Sequence, residues 1–243
     1  MSAADLLLEL RGVHTHIGAY HILHGVDLAV PRGQVTLLLG RNGAGKTTLL
    51  RTIRGLWRAS QGSVQWQGRD IARLATPQIA QLGIAYVPEN MGVFADLTVQ
   101  ENLLLAARGA RNAQQIDGAR LAWIFQLFPA VEKFWHHPAG KLSGGQKQMV
   151  AVARAIVEPR DLLIVDEPSK GLAPSIINNM IDAFAQLKAG GVTILLVEQN
   201  LNFAQRLGDG VAVMDNGRTV HTGSMAELAG DAALQRSLLG LTL

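Results

Sequence analysis

VTLLLGRNGAGKTTLL, Val35 to Leu50, is an apolar run that breaks on glycines and then meets a lysine and two threonines. Val35 to Leu39 is too short for a helix, and its apolar character suits a strand buried on both faces of a sheet. Gly45 to Leu56 carries a helical pattern. Between them, Gly40-Arg41-Asn42-Gly43-Ala44-Gly45-Lys46-Thr47 fits G-x-x-x-x-G-K-[ST], in the strand-before, helix-after context that this motif requires. The glycines let the main chain curl so that successive N–H groups point inward at phosphate oxygens, and the helix start adds a favourable dipole. In such a loop Lys46 reaches the β- and γ-phosphates and Thr47 holds Mg²⁺.

Further short apolar runs recur at Leu162 to Val165, Thr193 to Val197 and Val211 to Met214. Helical patterns lie between them, at Thr98 to Arg108, Gly144 to Val157 and Pro174 to Ala189. Thr98 and Glu101 are spaced as a capping box at one helix start. Strands and helices alternating at these lengths predict an α/β fold, and the glycine loop at Gly40–Thr47 makes its expected core that of a P-loop NTPase. Two regions differ. The first ~30 residues read as strands, with Gly18 and the PRG at Pro31 as turn signals. The stretch from about Glu89 to Leu142 reads as helix and loop, and is expected to be a helical subdomain inserted in one domain spanning residues 1–243. MDNGRTV reads as a hairpin, because Asn216-Gly217 supplies the positive φ angles of a type I′ turn.

With 243 residues, 48% of them hydrophobic, the chain is long enough for one large domain or one domain with an insert. The formal charge of +3 comes from bases scattered among acids, not from the clustered Lys and Arg of a nucleic-acid footprint. The absence of cysteine excludes disulfides and thiolate metal sites. MSAADLLLELRGV lacks the basic and long apolar regions of a signal peptide, and no apolar run approaches the ~20 residues needed to span a bilayer. The expectation is a soluble chain that works on a membrane only through a partner.

LLIVDEPS places Asp166 and Glu167 at the end of a buried strand, where ligands bind in open α/β sheets. Asp166 is expected to hold Mg²⁺ through its waters and Glu167 to orient or deprotonate the attacking water. In LSGGQKQMVAVARAIV, Ser143 and two glycines open a second helix with an anion-binding start. Here the chain resembles the ATP-binding-cassette (ABC) ATPases, whose signature motif Ser143-Gly144-Gly145-Gln146 matches. The resemblance covers nearly the whole chain. It implies an N-terminal antiparallel β-subdomain and the inserted helical subdomain. It also implies that Gly40, Asn42, Gly43, Ala44, Gly45, Lys46, Thr47 and Thr48 bind ATP with Mg²⁺. The signature of one subunit would cover the γ-phosphate held by a second ATPase subunit, identical or paralogous.

The pieces VPE…VF, TVQENL, LSGGQKQM, EPSKGLAP and LVEQN resemble one ATPase subunit of branched-chain amino acid importers, whose close relatives serve urea and amides. That likeness implies transmembrane permease partners, indirectly a solute-binding protein, and a peripheral place on the cytoplasmic face of the plasma (inner) membrane. No nucleic acid is expected. Three family positions depart from the pattern: Glu89 stands for Gln, Ala173 for Asp, and Gln199 for His. Glu89 can still contact the Mg²⁺ water shell but is anionic, and Gln199 can donate to a γ-phosphate without carrying charge. Weak basal hydrolysis is therefore expected unless partners order the site. The adenine-stacking aromatic falls by spacing on Ile17, with Tyr20 three residues on as a substitute, or else packed in the β-subdomain. Lys170 stands where Leu is common, with no reason visible in the sequence.

Other features invite rival readings. His14 and His16 can share a strand face, yet no carboxylate set completes a metal site, so exposed strand histidines are expected. FPAVEKFWHH (Phe128 to His137) either lines a groove for a short helix of a membrane subunit or forms a small core. LAGDAALQRSLLGL is expected to be an amphipathic helix packed on its own domain. An exporter or lipid-extracting ABC ATPase shares the chemistry. A non-transport ABC protein acting on nucleic acid or ribosomes generally carries coiled coils or tandem cassettes, which are not present here.

Overall fold

The computed structural model describes residues 6–240. Residues 1–5 of the stretch read against a signal peptide, and Leu241 of the C-terminal amphipathic stretch, lie outside it. The chain opens with two long strands, β1 (Leu6–Ile17) and β2 (Tyr20–Pro31), joined at the Gly18 turn. They pair antiparallel. β3 (Val35–Leu39) then enters a second sheet and feeds α1 (Lys46–Ile53) through the glycine loop. β4 (Ala59–Trp66) and β5 (Arg69–Asp70) return to the first sheet, whose order is β2-β1-β4-β5, antiparallel throughout.

After α2 (Thr76–Gln81) comes β6 (Ile84–Val87), then α3 (Val99–Leu104), α4 (Gly118–Leu127) and α5 (Pro129–Lys133), and then α6 (Gly144–Ile156). The stretch holding α3 to α5 is tied end to end by main-chain bonds: Val99 donates to His137, Gln100 to Trp135 and Ala139 to Leu97. The Thr98–Glu101 capping box forms, and Asn102, fully buried, hydrogen-bonds the main chain of Phe94 and Thr98. β7 (Leu162–Asp166), α7 (Pro174–Ala189), β8 (Thr193–Val197), α8 (Leu201–Leu207), β9 (Gly210–Asp215), β10 (Arg218–Ser224), α9 (Met225–Gly230) and α10 (Ala232–Leu239) complete the chain. The second sheet runs β10-β9-β3-β8-β7-β6. Its pairs are parallel except β9–β10, whose turn at Asn216 (φ 45) and Gly217 (φ 72) is the expected positive-φ hairpin.

Alternation across these parallel strands builds two apolar layers. Leu37, Val165, Ile194, Leu196 and Val213 face one core with α6, α7 and α8. Leu38, Leu162, Ile164, Leu195 and Val197 face the other, against α1 and the antiparallel sheet. Each such side chain contributes roughly 1.5–3 kcal/mol when fully buried, so the central sheet is the rigid part of the molecule.

Four expectations need correction. α1 stops at Ile53, not Leu56, because Gly55 turns at φ +71 where a Cβ would lie 2.6 Å from the Leu74 carbonyl. α3 stops at Leu104, and the next N–H groups bond partly to residues three back. β4, β5 and β6 were not anticipated. The C-terminal stretch is two helices, broken where Asp231 caps α10 through the Ala233 and Leu234 N–H groups. α10 packs as expected, with Leu234, Leu238 and Leu239 against the main core.

Candidate active site

Four parallel strands end on one edge of the sheet in the order β3, β8, β7, β6. Their carboxyl ends deliver the glycine loop, Glu198-Gln199, Asp166-Glu167 and Pro88-Glu89 to neighbouring places, the crevice position of open α/β sheets. Here a cavity of about 230 Å³ is lined by Ile22, residues 42–48, Glu89, Glu167 and Lys170.

The loop's shape requires its glycines. Gly40 has φ +147, and a Cβ there would fall 2.3 Å from the Met214 carbonyl oxygen. Gly43 (φ +83) and Gly45 (φ +101) also occupy conformations that side chains resist. Gly45 precedes α1 without a side-chain cap, leaving the first turn of that helix turned to the cavity. Lys46, only 6% exposed, donates to the carbonyls of Gly40 (2.6 Å) and Arg41 (3.1 Å), so its ammonium sits inside the curl. Burial lowers its pKa, while Glu167, Asp166 and Glu89 act the other way.

Asp166 is buried and receives one hydrogen bond, from the Tyr86 hydroxyl at 3.2 Å. Burial pushes its carboxyl up to about 6, with Glu167 and Glu89 adding to the rise. The same desolvation, with the Asp166 charge, pushes the Tyr86 hydroxyl up to about 12. Glu167 adopts φ 49, a left-handed conformation costly for a residue with a side chain. Its N–H bonds the Val197 carbonyl, locking the turn onto β8. Gln199 bridges the two sides of the site: its amide donates to Asn42 Oδ1 at 2.9 Å and also to Glu167 Oε1.

Two further residues belong to this constellation and were not anticipated. Glu198, 1% exposed, accepts from the Ser169 N–H and hydroxyl (both 2.9 Å) and from the N–H groups of Gln199 (3.0 Å) and Asn200 (3.1 Å). Burial raises its pKa against these four bonds. It thereby fastens the turn after β7 to the turn after β8. Ile22 reaches the cavity because it is the extra residue of a β-bulge, between Leu23, paired with Thr15, and His21, paired with His16. A bulge leaves no mark in sequence periodicity.

Ile17 and Tyr20 flank the tight turn as a strand pair and do not line the cavity. Tyr20 is 76% exposed and so is not packed in the β-subdomain. Ser143 to Gln146 also lie outside the cavity lining. Ser143 and Gln146 close a reciprocal cap, with Ser143 N–H to Gln146 Oε1 at 2.9 Å and Gln146 N–H to Ser143 Oγ at 3.3 Å. Gly145 sits where a Cβ would meet Ile176 of α7 at 2.7 Å, whereas around Gly144 the space is open. Ala173 caps α7 without a side-chain bond.

Phe128 and Val131 are core residues, so the stretch from Phe128 to His137 is anchored inward. A groove of about 510 Å³ instead runs between β6, the Pro88–Gly92 loop and α6, with Arg54, Arg108, Arg154 and Arg160 around it. His14, His16, His21 and His24 gather on the outer face of the β1–β2 hairpin. His21 stacks on His16 (centroids 4.1 Å apart), abuts His24 (4.0 Å), and its Nε2 lies 3.0 Å from His14 Nδ1.

A glycine-rich loop curled on a lysine, beside a buried aspartate and a glutamate that shares a glutamine with the loop, defines a P-loop nucleotide hydrolase. Residues 23–170 match the ABC transporter family. The chain belongs to that family and is an ATPase. It is 38% identical to the high-affinity branched-chain amino acid transport ATP-binding protein BraG of Pseudomonas aeruginosa, covering 96% of this chain and all of that one. It is 36% identical to the probable branched-chain amino acid transport ATP-binding protein LivF of Archaeoglobus fulgidus, over 96% and 99% of the two chains. Among solved structures it is similar to an ATP-binding cassette of an ABC transporter in its ADP conformation. There the TM-score is 0.79 and identity 26%, over 94% of this chain and 96% of the other. No helix among the described residues is long and apolar enough to cross a membrane.

Proposed function

We propose that the chain is the ATP-hydrolysing subunit of an ABC importer for branched-chain amino acids or similar small polar solutes. The observation that carries the catalytic part is the Asn42–Gln199–Glu167 bridge at the mouth of the phosphate-loop cavity. The importer part rests on likeness to BraG and LivF along nearly the whole chain.

Gly40 and residues 42–48 cradle the phosphate tail through main-chain N–H groups, and Lys46 neutralises the β- and γ-phosphates. The hard oxygens of Thr47 and the buried Asp166 suit magnesium completed by phosphate oxygens and water, and no group of three or more His, Asp or Glu side chains among the described residues forms a cage without them. Thr47 and Asp166 would hold the ion, and Glu89 its water shell. Bound there, magnesium would supply positive charge against the phosphate tail. Glu167 takes a proton from water while that oxygen attacks the γ-phosphorus in line. The bond to the β–γ bridging oxygen breaks, and ADP and phosphate leave. Gln199 holds Glu167 against the loop and donates to the γ-phosphate.

Ser143 to Gln146 lie outside this cavity, which favours their use on the nucleotide of a second ATPase subunit. The segment at about 89–142 is then the helical subdomain that moves with closure. The arginine-rich groove beside the Glu89 loop faces the permease subunits. Ile17 and Tyr20 remain the candidates for the adenine. Purification with native partners tests the assignment. Recovery of this chain with polytopic membrane proteins and a solute-dependent ATPase rate is expected. Recovery with ribosomes or nucleic acid alone would overturn it.

A further inference from the structure

Lys170 follows β7 by four residues, and Glu89 follows β6 by two. They are 81 positions apart in the chain, yet Lys170 Nζ lies 2.5 Å from Glu89 Oε1 and 3.7 Å from Glu167 Oε2. All three line the phosphate-loop cavity. We infer that Lys170 and Glu89 are a charge-compensating pair: the ammonium neutralises a carboxylate that would otherwise repel the nucleotide's phosphate tail. The inference rests on the reading of this cavity as the ATP site.

The charge balance around the cavity points to this role. Glu89 and Glu167 line the cavity, and Asp166 is near enough to act on the Lys46 charge, so three carboxylates surround the phosphate site. Lys46 supplies one cation, held within the loop by the Gly40 and Arg41 carbonyls. Lys170 is the second cation on the lining, and its strongest contact is with the outermost of the three acids. Both members of the pair are substantially exposed, at 61% and 47% of their side chains. A pair so exposed adds little to folding stability. Its consequence falls on a highly charged ligand: Glu89 holds the exposed ammonium beside the phosphate site, and without Glu89 the lysine is free to swing into solvent, where its charge is screened. The pair also explains two unusual residues at once. An anion at position 89 is unfavourable alone in this cavity, and the cation at position 170 satisfies it.

The test is a double-mutant cycle read on binding without turnover. Wild type, Lys170→Met, Glu89→Gln and the double variant are titrated with AMP-PNP and magnesium by calorimetry. With Glu89 present, Lys170→Met should weaken binding about fivefold, and in the Glu89→Gln background less than about twofold. Lys170→Arg, which keeps the charge, should stay within about twofold of wild type and guards against a folding artefact. An equal effect of Lys170→Met in both backgrounds, including no effect in either, overturns the pairing. If wild type itself binds no nucleotide, the phosphate-cavity reading fails, and the inference fails with it.

Discussion

Two helices in this molecule begin on glycine turns, and they begin differently. α1 follows Gly45, which contributes no side-chain cap, and its first turn lines a cavity together with Glu89, Glu167 and Lys170. α6 follows Ser143, whose hydroxyl and main chain are both matched by Gln146. The first helix leaves its amide donors for a ligand held by the same chain. The second has satisfied part of its own need and offers an open face at Gly144, away from that cavity. On the proposed reading a grip and a lid are separate devices on one chain, and a second subunit would bring its lid over this grip.

Breaking the grip should have the largest effects. Glu167→Gln should lower kcat by about 10²–10⁴-fold while ATP binding persists, as rapid-quench and equilibrium titration would show. Turnover at the normal rate would remove Glu167 as the base. Lys46→Ala should weaken ATP binding by roughly 10–100-fold and abolish ATP-dependent association in light scattering.

Asp166→Asn separates function from stability. The Asp166 carboxyl is pushed from its ordinary 3.8 up to about 6 in the fold. The folded chain therefore holds an extra proton between those values. That favourable contribution is complete below the unfolded value and is lost as pH rises through about 6, leaving a cost at neutral pH. The asparagine variant should melt higher at about pH 7.5, by roughly 1–3 kcal/mol, while losing magnesium-dependent nucleotide affinity. A lower melting temperature would contradict the burial argument.

Breaking the lid should be milder. Ser143→Ala should cost about 1 kcal/mol of stability through the lost cap. It should leave nucleotide affinity of the isolated chain unchanged while lowering turnover in the assembled transporter. Weakened affinity of the isolated chain would place Ser143 in its own subunit's site. The smallest effect concerns the imidazole cluster. Burial, then His21, Arg218, His14 and His16, lower the pKa of His24. Its favourable contribution is present above the usual histidine value and is lost as pH falls below it. His24→Gln should flatten the decline in melting temperature on acidification; an unchanged profile would dismiss the cluster's effect.

The grip was legible in the sequence because it is local. Strand, glycine loop and helix are contiguous, and β7, β8 and β9 announce themselves as unbroken apolar runs. The lid's helix start was legible for the same reason, as Ser143 and two glycines are contiguous, but its cap by Gln146 was not anticipated. What escaped was nonlocal or weakly patterned. β4, ASQGSVQW, buries only Val64 and Trp66 well and carries Gly62, so alternation barely shows. β6 is four residues long. Lys170 had no explanation until the fold placed Glu89 beside it. Glu198 was given no role until the fold closed Ser169 on it. The hairpin bulge that turns Ile22 into the cavity has no sequence period to betray it.

The account stands or falls on where the Ser143 turn goes when nucleotide is bound. A photoreactive phenylalanine derivative placed at Gly144, in the Glu167→Gln chain purified with its transporter partners and MgATP, reports this directly. The account predicts adducts on the phosphate loop of a facing ATPase subunit, at residues 40–48 of a second copy or the matching loop of a sister chain. Illumination with ATP bound that yields adducts only within the same chain, or none with any ATPase subunit, would contradict it.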